Sequence, residues 1–446
     1  MTSLPPLAAG FPAFSEDDWR AAAARRANSN GDASGLAHGA GPLAPRARAA
    51  RPIASRPPGQ AWRIVERIDS GTAAEAASRA AEAIASGATG IELVLPSSLH
   101  PLARHIEADA AEIAARLAAM PKGLLVRVDI GPPSPETFDP FLDLAAARML
   151  HLAWVFDPVA AYAIHGTPAT DDEAAIRAAA TAFAERGLDG AAVVADGRLW
   201  HAGGATEEQE LGVTLATYVH YIRLLRSPDR IGIGLATDSD QFRGIAKLRA
   251  MRLLVARILE VADLAGPPLR IHAETAWRSL SERDPEMNIL RATAAAFAAA
   301  VGGADSITVL PFDATEKGRS GARRLARHTQ IILAEEAHVG RVADAAAGSD
   351  AIEALTAKFA EAAWERFQSI EAEGGIVAAI AEGSLLREIA EAREARLARV
   401  ARGDIKLIGV NAYRGEATMA TVKRAPVKRT GPLTFRRLSA PFEATS

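Results

Sequence analysis

The sequence predicts an α/β protein built on a (β/α)8 barrel, and three observations carry that expectation. Eight short β-rich runs recur between Trp62 and Gly348. A stretch with helical periodicity follows each run, and strands that alternate with helices pair in parallel. Eight such units also match the roughly 250 residues typical of a closed barrel. An open doubly wound sheet is the alternative. No GxGxxG or GxxxxGK(S/T) pattern follows any run, so dinucleotide and P-loop chemistry have no support.

In chain order the runs are WRIVERI (62–68), GIELVLP (90–96), LLVRVDI (124–130), LAWVFDP (152–158), AAVVADG (191–197), IGIGLAT (231–237), LRIHAET (269–275) and SITVLPF (306–312). Helices are expected at 73–86, 171–186, 207–225, 241–264 and 285–301, among others. TDDE at 170–173 fits a capping box. Asp284 fits an N-cap with Pro285 at the first helical position. Beyond the barrel, 350–373 and 384–402 read as helices and IKLIGVNAY (405–413) as a strand with a turn.

Three regions follow: an N-terminal extension (1–60), the barrel (61–348), and a helical extension with a tail (349–446). Residues 1–60 are irregular apart from a short helix at 15–26, where SEDDW supplies a cap and early acids. The Gly-, Pro-, Ala- and Arg-rich stretch that follows reads either as a flexible linker or as an arm that wraps a partner. The last stretch, APVKRTGPLTFRRLSAPFEATS, reads as a tail, a partner-binding segment or a linker.

Composition narrows the function classes. The 446 residues carry a formal net charge of −3, which shows no bias toward nucleic acid or an anionic membrane. Cysteine is absent, which excludes disulfides, thiolate nucleophiles and Cys-ligated metals and fits a reducing compartment. The N-terminus lacks the basic and apolar regions of a signal peptide. The longest apolar run, AAAFAAAVGG, is far short of the roughly 18 residues of a membrane span. The expectation is a cytoplasmic protein.

In a (β/α)8 barrel, functional side chains sit at the C-terminal ends of the strands. His272 and Glu274 end the seventh run two residues apart, so they share one face. A His oriented by a carboxylate can act as general acid or base near neutral pH. The same pair also reads as a hydrogen-bonded structural element. A metal site would need about three convergent ligands, whereas His165, His201 and His338 are scattered along the chain, so no metal is expected. After the fifth run, Gly203 and Gly204 would let the backbone approach a ligand or a neighbouring strand, and Thr206 with Glu207 and Glu208 reads as a helix start. Lys247, Arg249, Arg252 and Arg257 read as a solvated helix face, with a phosphate or coenzyme A contact as the minority alternative.

At this point a resemblance enters. RIHAETAWRSLSERDPEMNILRATAAAFAAAVGGADSITVLPFDA, HAGGATEEQELGVTLATYVHYIRLL, IAKLRAMRLL, RLARHTQIILAEEAHVGRVADAAAGSDAIEALT and IKLIGVNAYR together resemble the methylmalonyl-CoA mutase family. The segments keep order and spacing over roughly 60–415. The resemblance implies a (β/α)8 barrel. It also implies radical isomerisation of acyl-CoA carbon skeletons with adenosylcobalamin, the substrate lying along the barrel axis and a separate C-terminal domain holding the corrin. The cofactor supplies the radical while the protein positions and shields it.

The departures from the family pattern matter more. Catalytic chains end the fifth strand with a Tyr-His pair in GYHMQEAGAT, and here GRLWHAGGAT puts Arg198 and Leu199 in those places. They open the barrel with a segment like RPWTIRQYAG, and here GQAWRIVERID keeps Trp62 and Ile64 but has Arg67 at the Tyr position. Their fourth strand carries a Gln and soon afterwards an Arg for the substrate carboxylate. Here AWVFDPVAAYAIHG offers Val155 and no Arg. Arg230, His272, Glu274 and Glu336 remain as ligand-facing matches. Loss of one electrostatic donor costs about 2.7–4 kcal/mol of transition-state stabilisation, so losing both the carboxylate clamp and the acid/base pair is hard to reconcile with mutase chemistry. The DxHxxG signature of a cobalt-ligating His is also missing.

The resemblance is therefore best to the small, non-catalytic subunit of a heterodimeric methylmalonyl-CoA mutase, without its C-terminal cobalamin-binding-like domain. No catalytic residues are assigned to this chain. Adenosylcobalamin is expected on a large catalytic partner subunit that interconverts methylmalonyl-CoA and succinyl-CoA. Two other readings stand beside it: a barrel subunit of a related acyl-CoA mutase working with a separate cobalamin-binding chain, and a stand-alone barrel enzyme using His272 and Glu274.

Overall fold

A computed structural model describes residues 15, 18, 53, 56–131, 134–168, 171–267, 269–315, 320–414 and 431–443. All eight predicted runs form strands. They are β1 (Arg63–Ile68), β2 (Gly90–Val94), β3 (Leu125–Asp129), β4 (His151–Val155), β5 (Gly190–Ala191), β6 (Val193–Asp196), β7 (Ile231–Thr237), β8 (Ile271–Thr275) and β9 (Ser306–Thr308). Every pairing is parallel, and the sheet order is β5-β4-β3-β2-β1-β9-β8-β7-β6. β5 and β6 are one predicted run interrupted at Ala192. Its first half pairs with β4 and its second with β7, so the two ends of the sheet meet in one stretch of chain. Val194 N–H also donates to Phe156 O at 3.0 Å across that seam.

The period-2 alternation of the strands separates two interiors. Ile64, Ile68, Ile91, Leu93, Val126, Val128, Leu152, Trp154, Ile233, Leu235, Ile271 and Ile307 face outward into the helix layer, where they form one continuous apolar core. Helices Ala73–Ala85, Asp172–Glu185, Glu207–Leu225, Gln241–Val261 and Met287–Val301 lie on this layer close to their predicted bounds. Thr206 caps its helix as expected, in a reciprocal capping box with Gln209. Beyond the barrel, Asp350–Ala372 and Ser384–Arg402 are helices, with a further short helix, Ile376–Glu382, between them. Phe359, Ala363 and Phe367 join the barrel's own core, each buried ring worth about 1.5–3 kcal/mol. Among the described residues no helix is long and apolar enough to cross a membrane.

Several local expectations are corrected. Residues 405–413 hold no strand, only an isolated bridge between Ile408 and Ala412. The cause is Asn411: its side chain accepts from Leu407 N–H (2.7 Å) and donates to Val400 O (2.7 Å) and Ile405 O (2.8 Å), taking backbone groups that a ladder would need. The helix expected from Pro285 begins at Met287, because 284–286 form a turn in which Asp284 O accepts from Met287 N–H. Asp284's carboxylate lies against Gly409 instead of capping. Asp171 caps the helix after β4's loop without a side-chain hydrogen bond, and Thr170 of the expected capping box lies outside the described residues. Of the 15–26 helix only Ser15 and Asp18 are described, joined by reciprocal cap hydrogen bonds. The 1–60 arm otherwise lies largely outside the described residues. Its end is fastened by Ile53 N–H to Asp344 (2.8 Å) and by Arg56 to Ala300 O (3.0 Å).

The solvated helix face expected at 247–257 is also corrected. Lys247, Arg249 and Arg252 are buried, because helices Asp350–Ala372 and Met287–Val301 cover helix Gln241–Val261. Lys247 pairs with Glu210 (2.6 Å), Arg249 with Asp344 and with Glu353 (2.6 Å), and Arg252 with Asp305 (2.7 Å). Arg257 is exposed, beside Glu260.

Candidate functional site

The inner faces of the strands set the chemistry of the barrel axis. Because successive side chains alternate, Arg67 on β1, Glu92 on β2, Arg127 and Asp129 on β3, Asp196 on β6, and His272 and Glu274 on β8 all point inward. Register then places them in layers: Arg67 lies beside Glu92, Glu92 beside Arg127, and Asp129 beside Val155. Arg198 follows β6 on the short helix Gly197–Gly203, whose N-cap is Asp196.

Glu92 is the hub. One oxygen accepts from Arg67 at 2.6 Å and lies 3.5 Å from Arg198, and the other accepts from Arg127 at 2.9 Å. Arg67 also faces Asp129 at 3.4 Å. Arg198 spans Asp196 (2.8 Å) and Glu274 (3.2 Å). His100, from the loop after β2, meets the other oxygen of Glu274 at 2.8 Å. His272 Nδ1 is 2.8 Å from Ser306 Oγ, while its Nε2 lies 3.6 Å from Glu92. Gly234 makes the room: a Cβ there would stand 2.7 Å from Asp196 Oδ1 and 3.3 Å from Arg198 Nε.

Burial pushes the Glu92 carboxyl up, but Arg198, Arg127 and Arg67 outweigh it and hold it well below the usual carboxylate range. Glu274 is likewise lowered, burial being overcome by His100 and Arg198. Arg198 is raised well above its ordinary value, because Asp196, Glu274 and Glu92 outweigh its burial. His272 is pushed the other way, first by burial and then by Arg127, so its imidazole is neutral. Asp129 is raised, chiefly by burial.

What this arrangement can do chemically follows from its closure. The side chains of Glu92, Arg67, Arg127, Arg198, His272 and Glu274 are 0–4 % exposed. They stand across the axis, so a ligand the width of an acyl chain would have to displace them. Both oxygens of Glu274 and one ring nitrogen of His272 are engaged, and the two residues do not bond each other. The cluster is a plug of mutually paired charges.

The structure thus brings together Arg67, Arg198, His272 and Glu274, with Val155 buried on the same inner wall. Leu199 is buried in the outer apolar core. Arg230 stands at the opposite end of the barrel, just before β7. Its guanidinium donates to Leu188 O (2.6 Å) and lies 5.9 Å from the Phe183 ring centre. Glu336 is exposed at the end of a π-helical turn (Ile332–Glu336) that continues the last barrel helix, Ser320–Ile331. Four residues on, Gly340 abuts Ala61 at the base of β1. Glu92, Arg127, Asp129, Asp196, His100 and Ser306 are members of the cluster that sequence reasoning did not single out. The signal for the strand residues was present: a charge between apolar neighbours in a strand whose two faces are both covered must point to the axis.

Comparisons with known proteins agree with this architecture. A family model described as methylmalonyl-CoA mutase matches residues 155–436. The probable methylmalonyl-CoA mutase small subunit of Mycobacterium tuberculosis is 41% identical over 303 residues, covering 65% of this chain and 48% of that protein. The methylmalonyl-CoA mutase small subunit of Streptomyces virginiae is 41% identical over 255 residues, covering 54% and 41%. The methylmalonyl-CoA mutase of Cereibacter sphaeroides is 40% identical over 223 residues, covering 47% and 32%. The chain spans about half the length, or less, of these relatives.

Proposed function

This chain belongs to the methylmalonyl-CoA mutase family, and from that premise we propose that it serves as a small, non-catalytic subunit supporting a large catalytic partner. Identity alone does not separate the two kinds of subunit, since relatives named small subunit and mutase match at 41% and 40%. The single observation that carries the reading is the filled axis. A mutase barrel has to admit an acyl-CoA along its axis, and here Arg67, Glu92, Arg127, Arg198, His272 and Glu274 occupy it.

Adenosylcobalamin would supply radical chemistry to the assembled enzyme, and in this reading it belongs to the partner. Among the described residues the axis does not fit it, because its charged side chains are buried and turned to one another. No catalytic step is therefore assigned to His272 or Glu274. The role proposed for both is to neutralise and rigidify the barrel that the partner packs against.

The test uses the intact chain. Alone, with methylmalonyl-CoA and added adenosylcobalamin, it is expected to form no succinyl-CoA. Co-expressed with a large subunit, it is expected to co-elute as a stable complex with mutase activity. Turnover by the isolated chain would overturn the proposal.

A further inference from the structure

The C-terminal mouth of the barrel is also covered from outside along one side. Residues 431–443 run over it from the helix after β4 (Pro158–His165), past the helix after β6, to the turn after β8 (Trp277–Ser279). At one end Leu433 N–H donates to Ala163 O (2.9 Å), and its side chain is buried over Gly203, where a Cβ would stand 2.5 Å from Leu433 Cδ1. Arg393 then holds Thr434 by its carbonyl and hydroxyl oxygens, both at 2.9 Å. Phe435 meets Trp277 edge-on at 6.3 Å. At the far end Leu438 N–H donates to Arg278 O (2.8 Å) and Ser439 Oγ to Leu280 O (3.0 Å). Arg437 pairs with Glu282 (2.9 Å) and Glu443 (2.7 Å), and Arg283 donates to Phe442 O (3.0 Å).

Beneath the segment lies a second polar layer. Arg278 is buried, donates to Ala205 O (2.8 Å), and faces Asp238 (3.2 Å) and Glu207 (3.6 Å). Arg396 donates to Gly204 O (2.9 Å). A buried guanidinium held by carbonyls and carboxylates keeps its strength only while water is excluded. Segment 431–443 covers that layer with apolar side chains and ties itself to the backbone of Arg278.

From this geometry we propose that 431–443 is a strap that holds the C-terminal mouth shut, so that this face is closed to solvent and to any second domain seated on it. As a lid it would be dispensable to helix Asp350–Ala372 and the strands, to which no hydrogen bond from 431–443 is made among the described residues. The proposal does not rest on the catalytic assignment.

Hydrogen exchange read by mass spectrometry tests it on the purified protein. Two forms are compared with the full chain: one truncated after Thr430, in which release is assured, and Leu433→Asp, whose release is checked by rapid exchange of the strap's own amides. In both, peptides containing Ala276, Ser279 and Leu280 are expected to exchange at least about tenfold faster, with helix Asp350–Ala372 unchanged. Mouth peptides within about twofold of the full chain after release would overturn the proposal. So would equal acceleration throughout the protein, or failure of the truncated chain to fold, because a lid is dispensable to the fold beneath it.

Discussion

Replacing Glu92 by Gln tests the axial plug most directly. The substitution keeps size and one acceptor oxygen but removes the charge on which three guanidinium groups converge. Counting the axial cluster, three arginines (67, 127, 198) face four carboxylates (Glu92, Asp129, Asp196, Glu274), so by charge alone the change would balance the cluster at three against three. Geometry decides otherwise. Arg67 keeps Asp129 and Arg198 keeps Asp196 and Glu274, but Arg127 loses its one direct carboxylate contact. Arg67 Nη2 and Arg127 Nη2 are already buried without acceptors, so the freed N–H groups find no substitute. Removing one partner of a buried ion pair costs about 3–5 kcal/mol, a large share of the about 5–15 kcal/mol that holds a typical protein folded. Urea denaturation at pH 7 is the assay, run as a cycle with Arg127→Met and the double variant. The double variant should recover part of the loss, with a coupling of about 0.5–3 kcal/mol. A Glu92→Gln protein within about 0.5 kcal/mol of the parent would refute the reasoning.

Other measurements follow from the same geometry. His272 and His201 are held neutral, first by burial and then by Arg127 and Arg278 respectively. Their folded pKa values lie below the unfolded value of about 6.5, so the unfolded chain binds protons first and stability falls as pH drops below that point, by up to about 1.4 kcal/mol per pH unit for each His; His272→Asn should flatten the profile, and a parent whose urea midpoint is level from pH 7 to 5 would contradict this. Lys247→Met strands Glu210 in the interior and should cost about 3–5 kcal/mol, measured as a lowered urea midpoint. Gly234→Ala sets a methyl against the Asp196–Arg198 pair and should cost about 1–3 kcal/mol by overpacking, while Gly123→Ala, which meets no neighbour but has φ +73°, separates backbone strain from crowding in the same assay.

The eight-strand repeat was legible because each run is short and β-rich and is followed by a stretch of helical periodicity, and these are local properties. The axial plug was partly legible. In GIELVLP and LLVRVDI the charges at 92 and 127 are flanked by apolar neighbours on both sides, and a barrel leaves such a residue nowhere but the axis; in WRIVERI two charges, Glu66 and Arg67, stand side by side, and alternation sends one to each face. His272 and Glu274 drew notice for their place at a strand end, but their partners lie far off in sequence: His100 is 174 positions from Glu274 and Ser306 is 34 from His272. Nothing local announces those pairings. Arg249 and Arg252 misled for a related reason. Helical periodicity describes the faces of one helix and cannot tell which are covered by helices later in the chain. Asn411 shows the smallest scale of the problem, where one side chain consumed the backbone groups of an otherwise plausible strand.

The plug has a further regularity that bears on how such a barrel arises. Its inner wall is unequal. β7 and β9 present Gly232, Gly234, Ala236, Ser306 and Thr308, all small, on either side of His272 and Glu274 on β8, whereas β1, β2 and β3 present Arg67, Glu92 and Arg127, all long. Close packing requires large side chains to meet small ones, and here the long charged groups fill the room that the small half leaves. Arg67, Glu92 and Arg127 from one side meet Arg198, His272 and Glu274 from the other, and together they close the axis. Once closed with charges, the axis resists piecemeal reopening: removal of Glu92, for one, leaves Arg127 buried without its carboxylate.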